Sequence, residues 1–406
     1  MNSDSDSKKG YLWAKSRMPI LNRIVRKYSK SKILSDFKLG MCLHITYETA
    51  VLVTALSRAG AMISLCPANP LSSKDHVIDY LHSEVANVKL FVNNREDYSS
   101  FYKNMDRVLD TKPQIITDDG GELHKKAILR SQNVVGGTEE TTSGVNRLRM
   151  LSKDGKLTYP IIAANESIMK LLLDNKFGTG QSTIQGIINT TGVMVANKRI
   201  VVCGYGWVGK GVARVAKGMG AKVTIAEVDP LLAIEAYLDG FEVGPLEKLL
   251  ANNDIFITCT GQFNVIGRDH FHKLKEGAIL CNAGHFDVEI DVNYLNEMDP
   301  SHFDPRPNVT CYHTNRSQCK KKFYLITRGR VVNLVGAEGN SPEVMDISFS
   351  NQFLAIVYLS KAASKMTNRV YRMPKKLDKK LAQLVLAEHG VEIDSLTPDQ
   401  ISYFKR

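Results

Sequence analysis

Short apolar runs alternate with amphipathic stretches along the first half of the chain. Residues 39–56 have the pattern of a strand, a turn and a helix that begins near Tyr47, and residues 61–85 repeat that pattern. Residues 89–93 and 114–117 have the apolar content of further strands. Strands that alternate with helices at this spacing predict a parallel sheet with right-handed crossovers.

The alternation restarts at Lys198 and predicts a second α/β unit. Strands are expected at 199–203, 222–227, 254–258 and 278–281, with helices at 209–219, 230–239 and, beyond this unit, 346–367. A chain that leaves one domain for another usually returns to the first. We therefore predict an α/β protein with a doubly wound parallel-sheet domain, a Rossmann domain and a short C-terminal segment. Their bounds are 1–180 with 338–375, then 181–337, then 376–406.

A glycine-rich turn follows the first strand of the second unit. Gly204, Gly206 and Gly209 have the G-x-G-x-x-G spacing, which permits a tight turn, a close approach to pyrophosphate and helix packing. Glu227 ends the next predicted strand, 23 residues after Gly204, where a carboxylate accepts from an adenosine ribose hydroxyl. This context predicts a dinucleotide site and favours NAD over NADP.

The composition shows an excess of basic residues. The 406 residues contain 53 Lys and Arg against 42 Asp and Glu, a net charge of +11. The excess lies in two segments, 8–38 and 361–380, so the remainder of the chain is net acidic. Neither segment matches a recognised nucleic-acid motif, and we expect solvated helix faces or subunit contacts rather than a nucleic-acid partner.

The cysteines and the apolar stretches indicate where in the cell the protein is located. Seven cysteines are scattered without metal-ligand spacing, which is typical of reduced thiols and predicts no metal site. They are Cys42, Cys66, Cys203, Cys259, Cys281, Cys311 and Cys319. No signal-peptide pattern opens the chain, and the longest uncharged stretch, 177–197, is too polar for hydrocarbon. We expect a soluble, cytoplasmic protein with no membrane partner.

Polar clusters follow several strands of the first unit, where open parallel sheets collect ligands. A helical reading of 165–175 places Lys170 and Asp174 four residues apart on one face, where they would pair. Taken alone, such a pair is typical of a surface salt bridge. The other clusters are His44-Ile-Thr46-Tyr-Glu48, Asp118-Asp119 and Glu139-Glu140-Thr141-Thr142-Ser143.

Together these strings resemble the S-adenosylhomocysteine hydrolase family, in its archaeal and thermophilic bacterial branch. The matching strings include LHITYETA (43–50), DDGGEL (118–123), EETTSGVNRL (139–148), DNKFGTGQS (174–182), GYGWVGKG (204–211) and NAGHFDVEID (282–291). The resemblance implies reversible hydrolysis of S-adenosyl-L-homocysteine to adenosine and L-homocysteine. It also implies tightly bound NAD, which transiently oxidises the 3′-hydroxyl so that C4′ loses a proton, and a homotetramer.

The resemblance also implies roles for individual residues. Lys170, supported by Asp174, would take the 3′-hydroxyl proton, Asp119 the C4′ proton, and His44 would assist at C5′. The remaining catalytic matches are Glu140, Asn165 and His285. Substrate contacts match Thr46, Glu48, Asn340 and Met345. Cofactor contacts match Thr141, Thr142, Ser143, Asn175, Gly204, Gly206, Gly209, Glu227, Thr260 and Asn333. We expect burial to hold the pKa of Lys170 near neutrality.

One difference from the family motifs leaves the identity of the substrate's base undecided. The family has a histidine where this chain has Asn340, and that histidine helps close the site over adenine. A hydrolase of S-inosylhomocysteine is therefore an alternative, since the chemistry takes place on the ribose. A non-catalytic NAD-binding regulatory homologue is a further alternative, although it would be expected to lack acid–base residues that this chain retains.

Overall fold

Two sheets form the framework of the chain in the computed structural model, which describes residues 3–69, 73–92, 98–314 and 321–403. The strands of the first sheet are β1 Lys38–Cys42, β2 Met62–Cys66, β3 Val88–Leu90, β4 Ile115–Asp118, β5 Gly136–Glu139, β6 Ile161–Ala163 and β15 Val370–Arg372. Their order is β15-β6-β5-β4-β1-β2-β3, and all neighbours are parallel.

The second sheet has eight strands. They are β7 Arg199–Cys203, β8 Lys222–Ala226, β9 Glu242–Val243, β10 Ile255–Thr258, β11 Ile279–Asn282, β12 Phe303–Arg306, β13 Val309–His313 and β14 Lys322–Ile326. Their order is β12-β13-β14-β11-β10-β7-β8-β9. The parallel strands confirm the predicted α/β class, whereas β13 runs antiparallel to both of its neighbours and was not predicted.

Helices cover both sheets. Before the second sheet lie α1 Ser3–Ser16, α2 Pro19–Ser29, α3 Tyr47–Arg58, α4 Asp75–Glu84, α5 Tyr98–Asp110, α6 Glu122–Leu129, α7 Thr142–Lys153, α8 Ile168–Lys170 and α9 Thr179–Thr191. Around the second sheet lie α10 Trp207–Gly218, α11 Pro230–Leu238, α12 Leu246–Leu249, α13 Arg268–Phe271, α14 Val292–Met298 and α15 Val332–Val335. The chain ends with α16 Pro342–Ala362, α17 Lys375–Glu388 and α18 Pro398–Tyr403. Short 3-10 turns span Ala164–Glu166, Thr327–Gly329 and Ala363–Lys365.

The chain returns to the first sheet after α15. Helix α16 is buried on nearly all sides and packs in the core formed by α2, α3 and the first sheet. Strand β15 then pairs with β6 at the sheet edge, and Leu381 of α17 is fully buried in the same core. Helices α16 and α17 therefore pack in the core of the first sheet, although they follow the second sheet in sequence.

The two basic segments of the sequence meet on one surface. Helix α17 packs against α2, so Lys376 and Lys380 lie near Lys27. Partial burial, together with the charges of Lys27 and Lys376, lowers the pKa of Lys380. The positive charge thus lies on the outer side of the first domain.

Two further expectations concern cysteines and membranes. Six cysteines, all but Cys319, are free thiols, and Cys319 lies outside the described residues. Over the ranges that the structure describes, no helix has the length and apolar content needed to cross a bilayer.

His124 ties α6 to the neighbouring strand from a fully buried position. Its Nε2 lies 3.1 Å from the carbonyl oxygen of Thr138, and its Nδ1 lies 3.1 Å from the hydroxyl of Tyr159. A carbonyl only accepts, so Nε2 carries the proton and the ring is neutral. Burial lowers the pKa of His124 to about 4.

We predict that acid destabilises the fold partly through His124. Between the ordinary histidine pKa of 6.5 and about 4, the unfolded chain takes up a proton that the folded chain refuses. The free energy of unfolding should therefore fall by up to roughly 1.4 kcal/mol per pH unit for this group. His124→Gln, which keeps a donor and does not titrate, should show a shallower loss of melting temperature between about pH 7 and about pH 5.

The control is His389→Gln, which changes an exposed histidine. Equal slopes for His124→Gln and the unchanged protein would contradict the assignment.

Candidate active site

A cavity of about 400 Å³ lies where the carboxyl ends of the two sheets face each other. All but three of the residues predicted for the site line it. They are His44, Thr46, Glu48, Asp119, Glu140, Thr141, Thr142, Ser143, Asn165, Lys170, Asp174, Asn175, Gly206, Thr260, His285, Asn333, Asn340 and Met345. The exceptions, Gly204, Gly209 and Glu227, lie behind the cavity wall.

Lys170 lies at the centre of this cavity in a cluster of buried polar side chains. Its Nζ donates to Asn175 Oδ1 at 2.8 Å and lies 3.4 Å from Asp174 Oδ1 and 3.5 Å from Glu140 Oε1. Only 6% of Lys170 is exposed. The predicted four-residue pairing with Asp174 is present, and it belongs to the site rather than to the surface.

The local helix differs from the predicted α-helix. Residues Leu171–Gly178 form a π-helix, in which residues five apart lie in line. This geometry brings Asn175, five residues on, into line with Lys170, whereas an α-helix would align Asp174 with Lys170 and turn Asn175 away. Such helices are frequent at functional sites.

The expected neutral pKa of Lys170 was wrong for the structure as it stands. Burial opposes the charged form, but the carboxylates of Asp174, Glu140 and Asp119 outweigh it and raise the pKa of Lys170. Sequence reasoning counted the apolar neighbours in the chain and not the carboxylates that the fold brings in. Burial in turn raises the pKa of Glu140 to about 7.

Helix α16 supplies supporting residues that sequence reasoning missed. The Ser348 hydroxyl lies 2.6 Å from Asp174 Oδ2 and 3.1 Å from Glu140 Oε1, and Gln352 Nε2 donates to Glu140 Oε2. Both side chains are fully buried. The available signal was a run of polar residues, Ser348, Ser350, Asn351 and Gln352, inside a long and otherwise largely apolar helix.

A second cluster joins the two domains. His44 Nε2 lies 3.8 Å from Asp119 Oδ2, and His285, which follows β11 of the second sheet, places Nδ1 3.5 Å from Asp119 Oδ1. Gly120 has a φ of +114°, and a Cβ there would lie 2.7 Å from His285 Nε2, so only glycine lets the histidine approach. Burial lowers the pKa of His285 to about 4 despite Asp119, which keeps the ring neutral.

Asn340 has protein partners as well as a place in the cavity wall. Its Nδ2 donates to Asp174 Oδ1 at 2.9 Å, and its Oδ1 accepts from Ser182 at 2.9 Å. The residue that departs from the family pattern therefore supports the partner of Lys170.

The glycine turn fits a dinucleotide. Gly204 has a φ of +98°, and a Cβ at Gly209 would collide with the Gly204 carbonyl oxygen, so both positions require glycine. A Cβ at Gly206 would meet no protein atom within 4 Å, which leaves open space on the cavity side. Asn333 Oδ1 is buried without a hydrogen-bond partner and faces the same cavity.

Glu227 is held by backbone amides. Its carboxylate accepts from the amides of Tyr205, Val228 and Asp229 at 2.6, 2.7 and 3.0 Å. Oε1 accepts two of these bonds and Oε2 only one, so Oε2 keeps a free lone pair and the predicted ribose contact stays a prediction.

Asp378 of α17 fixes the start of the segment that carries Lys170. Its Oδ1 accepts from Ser167 Oγ at 2.5 Å, and its Oδ2 accepts from the amide of Ile168 at 2.8 Å. The amides of Ile168 and Met169, in the first turn of α8, have no partner within the helix, and the Asp378 carboxylate accepts from both.

Asp378→Ala should displace Lys170 and lower kcat by roughly tenfold to a hundredfold, with KM little changed. Asp378→Asn keeps one acceptor oxygen, so its kcat should lie between that of Asp378→Ala and that of the unchanged protein. Steady-state kinetics and melting temperature measured together check this, with Asp399→Ala of exposed α18 as the control. A lower melting temperature with unchanged kcat in the folded fraction would assign Asp378 a stabilising role only.

The fold and the cavity define an enzyme class. A dinucleotide turn and a lysine held between carboxylates open into one cavity, which is the arrangement of an NAD-binding enzyme acting on a small polar substrate.

Comparison with known proteins identifies the family. Residues 5–133 match the family model described as S-adenosyl-L-homocysteine hydrolase, and residues 175–339 match that family's NAD binding domain. The chain belongs to the S-adenosyl-L-homocysteine hydrolase family, and it binds NAD through the second domain.

Individual relatives match over nearly the whole chain. The adenosylhomocysteinase of Sulfurisphaera tokodaii is 45% identical over 98% of this chain and 95% of that protein. The S-inosyl-L-homocysteine hydrolase of Methanopyrus kandleri is 43% identical over 97% and 93%, and the adenosylhomocysteinase of Aquifex aeolicus 43% over 96% and 94%.

Proposed function

We propose that this protein hydrolyses S-adenosyl-L-homocysteine reversibly to adenosine and L-homocysteine, through transient oxidation of the 3′-hydroxyl. The observation that carries the proposal is the position of Lys170, buried among carboxylates in a cavity that it shares with the dinucleotide turn. The names of the relatives support the same substrate class.

The chemistry explains why a hydrolase needs these groups. A thioether at C5′ is a poor leaving group, and the proton on C4′ is not acidic. When bound, NAD⁺ supplies a reversible hydride acceptor for C3′. With a ketone at C3′, the neighbouring C4′ proton becomes acidic enough for a side chain to remove.

Lys170 is the base proposed for the 3′-hydroxyl proton. It must first be neutral, because an ammonium has no free electron pair. Glu140, 3.5 Å away and with a pKa of about 7, is placed to hold the displaced proton. Asn165 and Asn175 lie beside Lys170 and would hold the ribose hydroxyls and the lysine in register.

Asp119 is the group proposed for the C4′ proton. Once its carboxylate takes that proton, the C5′–S bond breaks, homocysteine leaves as its thiolate and a C4′=C5′ double bond remains. His44 and His285 flank Asp119 and would supply the thiolate with its proton and orient the water that adds to C5′. Asp119 would then return the proton to C4′, and once C3′ is reduced again the net reaction is hydrolysis.

The substrate and cofactor contacts follow the cavity wall. We assign Thr46, Glu48 and Met345 to the nucleoside, and Thr141, Thr142, Ser143, Thr260 and Asn333 to NAD. Burial raises the pKa of Glu48, although Thr46 and Lys74 partly offset this. A carboxylate in such a position accepts hydrogen bonds from the donor edge of a purine.

We further propose a cytoplasmic homotetramer. Apolar side chains of the C-terminal segment are exposed in the single chain, as a surface covered by another subunit would be. They are Val391, Ile393, Leu396, Ile401 and Tyr403.

Replacement of Lys170 tests the first step. On addition of adenosine to NAD-loaded protein, Lys170→Ala should form reduced nicotinamide at least about a hundredfold more slowly. Lys170→Arg keeps a cation between the carboxylates but cannot lose its proton, and should be equally inactive. Nicotinamide absorbance measures the step, with Lys153→Ala as the surface control.

NAD content after acid release shows whether each variant still holds the cofactor. Oxidation at the unchanged rate in a loaded Lys170→Ala variant would refute the role of Lys170.

The second candidate is S-inosyl-L-homocysteine hydrolysis. It is favoured by Asn340, which stands where the family has histidine and is bound to Asp174 and Ser182. The name of the Methanopyrus kandleri relative shows that this substrate occurs in the family.

We predict that kcat/KM for the adenosyl thioether exceeds that for the inosyl thioether by at least about tenfold, or about 1.4 kcal/mol. Asn340→His should increase the ratio, since it restores the residue expected to close over adenine. Parallel kinetics with both thioethers give the answer, and a strong inosyl preference of the unchanged protein would establish the second candidate instead.

A further inference from the structure

A buried acid pair lies beneath the cavity and has no part in the reaction described above. Asp118 and Glu139 end the adjacent strands β4 and β5, pair directly in register and are fully buried. Donor atoms of these two residues and His124 all lie within 4.8 Å of one another.

Glu139 joins the two loops that carry Asp119 and the cofactor contacts. Its Oε1 accepts from the amides of Gly120 and Thr141, both at 2.9 Å, and from the Thr141 hydroxyl at 2.6 Å. Gly120 follows Asp119, and Thr141 caps α7, where the Thr141-Thr142-Ser143 run begins. A side chain at Gly144 would collide with this carboxylate, so the sequence leaves space for it.

The other oxygen of Glu139 lacks a partner. Oε2 is buried without a hydrogen bond, whereas Asp118 accepts from the amides of Asp119 and His124, both at 2.9 Å. His124 has no proton to offer, because its Nε2–H faces Thr138 and its Nδ1 accepts from Tyr159. Two carboxylates this close and this deeply buried cannot both be ionised.

We propose that Glu139 and Asp118 share one proton, carried on Glu139 Oε2 toward Asp118, and that this pair positions Asp119 and the cofactor loop for the proposed reaction. A single negative charge then lies below Asp119 instead of two. Both are positioning residues, since neither lines the cavity. The inference rests on the proposed function only for its effect on turnover.

The electrostatic surroundings agree with a held proton. Burial raises the pKa of Glu139 well above its usual range and that of Asp118 to about 7. The charge of Asp118 raises the pKa of Glu139 further, and the charge of Asp119 raises that of Asp118. The other titratable groups that face the pair are Cys42, Asp119, His124 and Tyr159.

The variant Glu139→Gln tests the pair. Its amide oxygen can keep the three hydrogen bonds of Oε1, and its NH₂ can donate to Asp118 as the shared proton does. We expect kcat near neutral pH within about twofold of the unchanged protein and a weaker alkaline loss of kcat, because no proton can leave position 139. Glu139→Ala should lose roughly a hundredfold in kcat.

The matched control is Glu297→Gln, which changes an exposed carboxylate. If Glu139→Ala does not fold, Glu139→Gln alone carries the test. Superimposable pH profiles for Glu139→Gln and the unchanged protein would overturn the role in turnover.

Infrared difference spectroscopy tests the proton without turnover. The unchanged protein at neutral pH should show the C=O stretch of a protonated, buried carboxyl group, which Glu139→Gln removes or shifts. Absence of that band would overturn the shared proton whatever the substrate proves to be. A band in a protein that hydrolyses neither thioether would instead refute the proposed function and leave the pair standing.

Discussion

The site depends on keeping one ammonium group out of water. Lys170 is almost fully buried, and a buried charge is stable only with close partners. Asp174 and Glu140 supply opposite charge, and Asn175 supplies a hydrogen bond. The two carboxylates need hydrogen-bond partners of their own, and these come from residues that are remote in sequence. Ser348 and Gln352 come from α16, which lies some 170 to 210 residues further along the sequence.

This requirement explains why the chain returns to its first sheet. Helix α16 must lie behind the cavity to satisfy Asp174 and Glu140, and α17 must follow it to bring Asp378 to the start of the lysine segment. The second domain is inserted between these elements. Its His285 then reaches Asp119 across the cavity through the space left by Gly120. Residues of both domains thus form a single site.

Much of this arrangement could be predicted from the sequence, because short contiguous motifs contain most of the site residues. The parallel strands, the glycine turn and most of the cavity-lining residues follow from local pattern and from the family strings. What could not be predicted depends on contacts between distant segments. The pKa of Lys170 is set by Glu140 and Asp119, which are far from it in sequence, and the π-helix has no clear local signature. The antiparallel strand β13 was missed because its five residues, Val309–His313, mix polar and apolar side chains, and its direction is set by pairing with β12 and β14.

We propose that hydrolysis proceeds through a 3′-ketone that lets Asp119 remove the C4′ proton. Incubation of adenosine with the NAD-loaded protein in heavy water, followed by mass spectrometry and NMR of the recovered nucleoside, tests it directly. We expect deuterium at C4′ with the unchanged protein and none with Lys170→Arg, which cannot start the oxidation. Hydrolysis of the thioether without deuterium at C4′, or exchange that persists in Lys170→Arg, would contradict it.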